Sequence, residues 1–138
     1  MSFQIKRRIR FADVDPAGIV FYPRYFEMVN EIVEDWFDRR LESNFYQMTQ
    51  LRKHGVPAAH IEIDFVSPSI LYEEITLTLS VQKLGTSSVT LNLAASHDGQ
   101  VRFNGTIVLV HIDLTSGRSL PWPDSLRSRM LGDQAASG

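Results

Sequence analysis

The sequence predicts a single α+β domain in which one long helix precedes an antiparallel sheet. Three observations support this. Apolar residues recur every three or four positions between residues 24 and 38, which indicates an amphipathic helix. Apolar and polar residues alternate through most of the chain after residue 60, which indicates strands. Asp98-Gly99 separates two alternating segments, as in a two-residue hairpin, so consecutive strands are expected to pair as an antiparallel meander.

The first half of the chain is predicted to form a strand and two helical segments. The strand runs from Phe3 to Phe11, where apolar and polar residues alternate. The long helix is expected to begin at Pro23 and to run for about 16 residues. Its apolar face consists of Tyr25, Phe26, Val29, Ile32, Val33, Trp36 and Phe37. A shorter helical segment is expected to start at Ser43, which suits an N-cap, and to stop before Gly55.

Four further strands are predicted from alternation, around residues 61–65, 75–81, 89–95 and 101–112. The segment Leu84-Gly85-Thr86 supplies one of the turns between them. The last strand is apolar on both faces at residues 107–110, which predicts that the sheet is covered on both sides. A short capped helix is expected over residues 124–131, and residues 132–138 are expected to form a disordered tail.

Composition and length indicate an ordinary globular domain, expected to span residues 1–131. The 138 residues are 43% apolar and 22% charged. The formal charge is −2 without any run of Lys or Arg, so neither nucleic acid nor a membrane surface is expected as a partner. The chain has no cysteine and its four histidines lack the spacing of a zinc pair, so no metal site is expected. Without a signal-peptide core or an apolar membrane span, a cytoplasmic location is expected.

The segment before the long helix carries the residues most suited to chemistry. It reads Asp13-Val14-Asp15-Pro16-Ala17-Gly18-Ile19-Val20-Phe21-Tyr22-Pro23. Pro16 biases Asp15 toward an extended backbone, and Gly18 permits a sharp turn. The helix that begins at Pro23 directs unpaired N–H groups and its positive dipole end toward this loop. A carboxylate and amide donors therefore converge, although Asp15 also suits a purely structural Asx turn before a proline.

This segment resembles the signature of the 4-hydroxybenzoyl-CoA thioesterase family of hotdog-fold enzymes. Segments that fit the same family pattern extend the resemblance from about residue 5 to residue 131: Gly55-Val56-Pro57, Asp64-Phe65 with Pro68, Lys83 to Ser88, Thr115 to Arg118, and Pro121 to Pro123. The resemblance implies a hotdog fold, in which a five-stranded antiparallel sheet wraps around one long helix. It also implies a homo-oligomer, most often a dimer of dimers, with active sites between subunits.

The resemblance further implies that the protein hydrolyses an acyl-CoA thioester to the free acid and CoA, without a cofactor. Asp15 is then the catalytic carboxylate, either as the nucleophile, which we favour, or as a general base that activates water. The backbone N–H of Tyr22 is expected to stabilise the oxyanion. Gly18 is expected to set the geometry of the loop, and Asp13 is assigned a structural role.

Substrate-binding residues are expected beside the loop and on a distant turn. Near the loop they are Phe21, Tyr25 and Asn30, although core packing is the simpler role for the rings of Phe21, Tyr22 and Tyr25. Related hydroxybenzoyl enzymes carry an acid at the position of Asn30, which argues against that substrate. The CoA arm is expected along the turn formed by Lys83, Gly85, Thr86 and Ser87, with Arg118 near the phosphates. Without the resemblance, this segment is an ordinary hairpin turn.

Two other functions remain open at this stage. A hotdog hydratase or dehydratase usually relies on a histidine in the site, which this loop lacks. A non-catalytic module that binds acyl-CoA requires no residue that the chain is missing. The sequence does not specify whether the acyl group is aromatic or a short to medium aliphatic chain, nor whether CoA or an acyl-carrier protein bears it.

Overall fold

The computed structural model describes residues 1–135 of the chain. The strands are β1 (Phe3–Arg8), β2 (His54–Gly55), β3 (Ala58–Phe65), β4 (Glu74–Leu84), β5 (Ser88–His97), β6 (Gln100–Val110) and β7 (Ile112–Asp113). The helices are α1 (Pro23–Arg39) and α2 (Asp124–Leu131); a 3₁₀ turn over Phe11–Asp13 precedes α1, and a π-helical turn over Gln47–Leu51 follows it. No helix in residues 1–135 is long and apolar enough to cross a membrane.

The main sheet is five-stranded and antiparallel, in the order β1-β4-β5-β6-β3. The predicted meander is confirmed for β4, β5 and β6. The hairpin at Asp98 and Gly99 is also confirmed, since both residues have the positive φ (49° and 76°) of a type I′ turn. β3 does not pair with its neighbour in sequence, however, but forms the far edge beside β6. The predicted last strand is two strands, because β7 pairs with β2 in a separate small sheet.

The core lies between α1 and the inner face of the sheet. The predicted apolar face of α1 is buried except at Phe26, which is 37% exposed. Inward residues alternate along the central strands and are all buried: Ile75, Leu77, Leu79, Val81, Val89, Leu91, Leu93 and Ala95. Burial of each Leu, Ile or Val side chain stabilises the fold by roughly 2 kcal/mol.

The outer face of the sheet is less apolar than the sequence predicted. Val108 and Val110 are half-buried on this face, opposite Thr90 and Ser88. Most of their neighbours on β4 and β5 are small and uncharged: Thr76, Thr78, Ser80, Thr90, Asn92, Ala94 and Ser96. Charged residues on this face of β4 lie at its ends, Glu74 at the start and Lys83 opposite Thr90. The two valines therefore form only a small apolar patch on the outer face. More exposed apolar surface lies at the edge of the sheet beside β3.

The expected disordered tail is wrong for residues 132–135, which pack against the domain. Val81 N–H donates to Asp133 O and Ala135 N–H donates to Val81 O, both at 2.8 Å. The Asp133 carboxylate is 1% exposed and accepts hydrogen bonds from Trp36 Nε1 (2.9 Å) and Arg40 Nη1 (3.0 Å). Residues 136–138 of the expected tail lie outside the described residues. Sequence alone missed this contact because Asp133 lies 97 residues from Trp36.

We expect Asp133→Ala to lower the free energy of unfolding by about 3 kcal/mol, because it leaves a buried indole N–H and a guanidinium without their acceptor. Asp38→Ala, at an exposed position on α1, is the control and should change stability by less than about 0.5 kcal/mol. Urea unfolding of both variants measures the difference. Equal stabilities would show that residues 132–135 do not contribute to the fold.

Candidate active site

Asp15 lies in a tight hairpin between the 3₁₀ turn and α1. Its N–H donates to Ile19 O and Gly18 N–H donates to Asp15 O, both at 2.9 Å. Gly18 has φ +80°, the left-handed conformation that closes a three-residue hairpin loop. Ala17 N–H donates to Asp15 Oδ1 (2.8 Å), forming an Asx turn. No group in residues 1–135 donates to Oδ2, and Asp15 lines an open groove beside Leu71. One carboxylate oxygen is thus held by the turn while the other is available.

Asp13 anchors the base of this hairpin. Its carboxylate, 8% exposed, pairs with the Arg7 guanidinium and accepts Arg10 N–H (2.7 Å), while its carbonyl accepts Phe21 N–H (2.9 Å). Burial raises the Asp13 pKa, but the hydrogen bonds from Arg7 and Arg10 and the guanidinium charge outweigh it, so the pKa lies below its ordinary value. Asp13 therefore stays ionised and structural, in agreement with the role expected for it.

The start of α1 provides an unpaired amide. Arg24 N–H donates to Phe21 O (2.8 Å) and Tyr25 N–H donates to Tyr22 O (3.1 Å). Pro23, the first helical residue, has no N–H. Tyr22 N–H has no acceptor among the residues that the structure describes. The positive end of the helix dipole strengthens this donor, so the amide expected to bind the oxyanion is free to do so.

The aromatic residues of this region divide into core and surface. Core packing is confirmed for Tyr25, which is 4% exposed, donates its hydroxyl to Ser69 Oγ (2.8 Å) and stacks on Phe65. It is wrong for Phe21 and Tyr22, which are 48% and 59% exposed and pack edge to face at 5.6 Å. Tyr25 thus lines the groove between Tyr22 and Phe65 with its ring, while its hydroxyl is hydrogen-bonded to Ser69. This exposed aromatic pair lies at the base of the Asp15 hairpin and is suited to an apolar ligand, and Tyr22 lines a different groove from Asp15.

Asn30 lies in a second groove, of about 240 Å³, which it lines with Met48, Ala58 and other mainly apolar residues. Ala58 begins β3, whereas Phe65 ends it beside the Tyr22 ring. The two ends of this strand are roughly 23 Å apart at the usual rise per residue. Within one chain, the structure therefore separates the groove of Asn30 from the hairpin of Asp15.

The expected CoA-binding residues also lie far from the hairpin. They are Lys83, Gly85, Thr86 and Ser87 in the turn between β4 and β5, and Arg118 in the turn that follows β7. β4 starts beside the hairpin, where Leu71 N–H donates to Gly18 O (3.1 Å), and ends at this turn. Its length is roughly 33 Å. Within one chain, the two sets of residues therefore lie at opposite ends of β4.

The turn between β4 and β5 is held through its carbonyl groups. Thr86 O accepts Trp122 N–H (2.9 Å), Ser87 O accepts His111 N–H (2.7 Å) and Gly85 O accepts Arg127 Nη1 (2.7 Å). These carbonyls are therefore unavailable to a ligand. The exposed side chains of Lys83, Thr86 and Arg118 remain.

Next to the hairpin, buried Arg102 forms an ion pair with half-buried Glu73, which sequence reasoning missed. Arg102 Nη1 and Nη2 donate to the two carboxylate oxygens of Glu73 at 2.6 and 3.0 Å. The hydrogen bonds from Arg102 outweigh desolvation, and with the Ile70 N–H they lower the Glu73 pKa from 4.5 to about 2. Arg102 interrupts the alternation of apolar and polar residues in its strand, and no known motif surrounds it. The local sequence therefore gave no indication of its role.

This pair predicts a pH dependence of stability. Because the folded-state pKa of Glu73 lies below its unfolded value, its contribution is fully present above pH 4.5 and is lost as the pH falls toward 2. We expect Glu73→Gln to flatten the dependence of unfolding free energy on pH in this window by about 1 kcal/mol per pH unit. Glu34→Gln, at an exposed position on α1, is the control. Urea unfolding between pH 2 and 4.5 measures this dependence. If Glu73→Gln keeps the wild-type slope of unfolding free energy against pH, as Glu34→Gln should, the Glu73–Arg102 pair is not the cause of the pH dependence.

Comparison with known proteins identifies the family of the chain. The sequence profile of the thioesterase-like superfamily matches residues 9–130. Over 129 residues the chain is 26% identical to the 1,4-dihydroxy-2-naphthoyl-CoA hydrolase of Nostoc punctiforme, which covers 91% of this chain and 84% of that protein.

Two solved structures are similar over nearly the whole chain. A 1,4-dihydroxy-2-naphthoyl-CoA thioesterase from Synechocystis has a TM-score of 0.86 at 20% identity, covering 95% of this chain and 96% of that one. A gentisyl-coenzyme A thioesterase has a TM-score of 0.81 at 25% identity, covering 91% and 98%. The chain therefore belongs to the thioesterase-like superfamily, and the hotdog fold and thioester hydrolase class expected from the Asp15 loop are confirmed.

Proposed function

We propose that this protein hydrolyses an aroyl-CoA thioester, with Asp15 as the catalytic carboxylate and Tyr22 N–H as the oxyanion donor. The observations that support this most directly are a carboxylate fixed by its own turn and an unpaired helix N-terminal amide further along the same segment. The Asx turn orients Asp15 while leaving Oδ2 without a donor, and Pro23 leaves Tyr22 as the free amide of the helix start. Preorganised donors of this kind stabilise acyl-transfer transition states by about 3 kcal/mol.

In the nucleophilic route, Asp15 Oδ2 attacks the thioester carbonyl carbon, and the carbonyl oxygen becomes an oxyanion at Tyr22 N–H. The C–S bond then breaks, so that CoA leaves as the thiolate and a mixed anhydride remains on Asp15. Water hydrolyses the anhydride to the free acid and restores the carboxylate. In the general-base route, Asp15 instead takes a proton from the water that attacks the carbonyl. A burst of CoA release equal to the number of sites would distinguish the nucleophilic route.

The aromatic preference rests on the surface beside Asp15 and on the comparisons. The exposed rings of Phe21 and Tyr22 offer edges and faces to an aromatic acyl group. The hydrolase of Nostoc punctiforme and the gentisyl-coenzyme A thioesterase are both named for aromatic acyl groups. Asn30 is then positioned to meet a ring substituent only if its groove comes from a second subunit.

We propose that two copies join through β3, the edge of the sheet flanked by the apolar side chains of Tyr22, Phe26, Phe65 and Val66. Both edges carry charge, with Lys6, Arg7 and Arg8 on β1 and Glu62 and Asp64 on β3. What distinguishes β3 is the cluster of exposed apolar side chains beside it. Antiparallel pairing of two β3 strands would place the Ala58 end of one beside the Phe65 end of the other. The groove of Asn30 would then lie against the hairpin of Asp15 from the other copy. The outer face of the sheet, which is small and uncharged along β5, is the surface on which two dimers would form a tetramer.

We expect the wild-type protein to be oligomeric at micromolar concentration, because an exposed apolar surface of this kind is unfavourable in a monomer. Val66→Lys should shift the protein toward the monomer, since it introduces a charge into that surface. Leu131→Lys is the matched control, because Leu131 is 48% exposed at the end of α2. Multi-angle light scattering measures the masses. A monomeric wild-type protein would remove both the interface and the shared site.

Steady-state assays with a panel of thioesters test the activity and its substrate class. Benzoyl-, gentisyl- and 1,4-dihydroxy-2-naphthoyl-CoA should have higher kcat/KM values than straight-chain acyl-CoA thioesters. Hydroxybenzoyl-CoA is included as the aromatic substrate that Asn30 argues against. A preference for aliphatic chains would contradict the aromatic assignment and leave the thioesterase assignment intact. Binding without turnover across the panel would instead favour a non-catalytic acyl-CoA-binding module. Repeating the assay with acyl-carrier-protein thioesters identifies the carrier.

A further inference from the structure

Arg102 is a buried cation that a β-bulge places on the inner side of β6. Ala95 pairs with Phe103 and Ser96 pairs with Val101, so Arg102 is the extra residue between two pairs. A bulge breaks the alternation of side chains and changes the direction of the extra one. The Arg102 side chain is consequently 5% exposed, although even-numbered neighbours on this strand face outward.

This side chain organises the segment 66–73, which connects β3 to β4. Arg102 Nη1 donates to Pro68 O (2.7 Å), and both Nη atoms bind the Glu73 carboxylate. The carbonyl of Arg102 accepts the N–H groups of Val66 (2.9 Å) and Ser67 (3.2 Å). One residue therefore holds the beginning, the middle and the end of the segment.

The segment 66–73 in turn supports the hairpin of Asp15 and the start of α1. Val20 N–H donates to Ser69 O (2.9 Å), and Leu71 N–H donates to Gly18 O (3.1 Å). The Tyr25 hydroxyl donates to Ser69 Oγ, which fixes the first turn of α1 to the same segment. The two catalytic groups of the proposed site thus share one support.

Stability alone does not account for Arg102. Its Nε is buried without a hydrogen-bond partner among the described residues. An unpaired buried N–H destabilises a fold, and apolar residues often replace a buried ion pair without loss of stability. Only a guanidinium, however, can donate two hydrogen bonds to the Glu73 carboxylate and a third to the Pro68 carbonyl.

We propose that Arg102 is a positioning residue for thioester hydrolysis, which acts through segment 66–73 to fix Asp15 and the Tyr22 amide relative to each other. The inference rests on the proposed function of Asp15. Displacements near 1 Å in such sites lower rates by about 100-fold. Arg102→Lys keeps the charge but provides a single nitrogen, so it should loosen segment 66–73 and the hairpin together.

The experiment compares Arg102→Lys with Arg40→Lys in the intact protein. Arg40 is a matched control because it pairs with buried Asp133 at another part of the fold. For Arg102→Lys we expect kcat to fall by about 10- to 100-fold with KM changed less than about threefold. Hydrogen exchange should accelerate in peptides that cover residues 14–22. Arg40→Lys should lower Tm without either effect. If Arg102→Lys does not fold, Glu73→Gln is measured in the same way.

The double variant Asp15→Asn/Arg102→Lys distinguishes the positioning role of Arg102 from the catalytic role proposed for Asp15. If Arg102 acts through Asp15, adding Arg102→Lys to Asp15→Asn should lower kcat by less than about threefold. Unchanged hydrogen exchange over residues 14–22, or an unchanged kcat in Arg102→Lys while Asp15→Asn is inactive, would overturn the positioning role alone. Full activity of Asp15→Asn would overturn the proposed function and, with it, any role exerted through Asp15.

Discussion

Asp15→Asn should lower kcat by at least about 100-fold while leaving the fold and KM nearly unchanged. Asparagine retains an Oδ1 that can accept Ala17 N–H, so the Asx turn and the hairpin should persist. It removes the charge and the nucleophilicity of Oδ2, the oxygen that no described residue binds. The loss should therefore appear in the chemical step. Measurement of kcat and KM on the best thioester of the panel, together with circular dichroism, tests both parts.

Asp98→Asn is the matched control for this substitution. Asp98 is also an aspartate in a tight hairpin, but its side chain is 91% exposed and lies in the β5–β6 turn, where asparagine is equally suited to φ 49°. Its kcat should equal that of the wild type within about twofold. If Asp15→Asn is as active as Asp98→Asn, then Asp15 is only a turn residue and the catalytic assignment is wrong.

Local features of the fold could be predicted from the sequence, because a few adjacent residues determine them. Gly18 and Gly99 both adopt the positive φ that their turns require. α1 begins at Pro23, as its helix-start preference indicated, and its apolar stripe is buried against the sheet. The loop motif also identified the family, and the structure places Asp15 in a hairpin that directly precedes the start of α1.

Features that depend on distant residues could not be predicted in this way. Glu73 and Arg102 lie 29 residues apart, and the pair forms only because β6 carries a bulge. Asp133 is hydrogen-bonded to Trp36, which lies 97 residues earlier in the sequence. Because no local pattern indicates this contact, the composition of the segment that contains Asp133 suggested a disordered tail. The separation of Asp15 from the turn at Gly85 follows from the length of β4, which no local sequence pattern relates to the position of Asp15.

The backbone of the hairpin should matter more to catalysis than the hydroxyl of Tyr22. We expect Gly18→Val to lower kcat by at least about 10-fold, because a β-branched residue tolerates φ +80° poorly. The added side chain would meet no atom within 4 Å, so its effect arises from the backbone conformation rather than from a clash. A shift of Gly18 would disturb its bonds to Asp15 and Leu71 and thereby move the carboxylate.

Gly117→Val separates loss of catalysis from loss of stability. Gly117 has φ +75°, is equally free of neighbours within 4 Å, and donates its N–H to Asp113 O (2.7 Å) in a turn remote from Asp15. Both glycine variants should be destabilised by about 1–2 kcal/mol in urea unfolding, since the strain is the same. Only Gly18→Val should lose kcat. Equal losses of kcat would show that the hairpin conformation has no special role.

Tyr22→Phe completes the comparison by testing the side chain at the oxyanion position. The Tyr22 hydroxyl makes no hydrogen bond within residues 1–135, and phenylalanine leaves the helix start and its free N–H unchanged. We therefore expect kcat within about threefold of the wild type, in contrast to the loss expected when a backbone oxyanion donor is displaced. A Tyr22→Phe variant as inactive as Asp15→Asn would assign the work to the phenol, as donor to the thioester or to Asp15, and would exclude the amide as the principal donor.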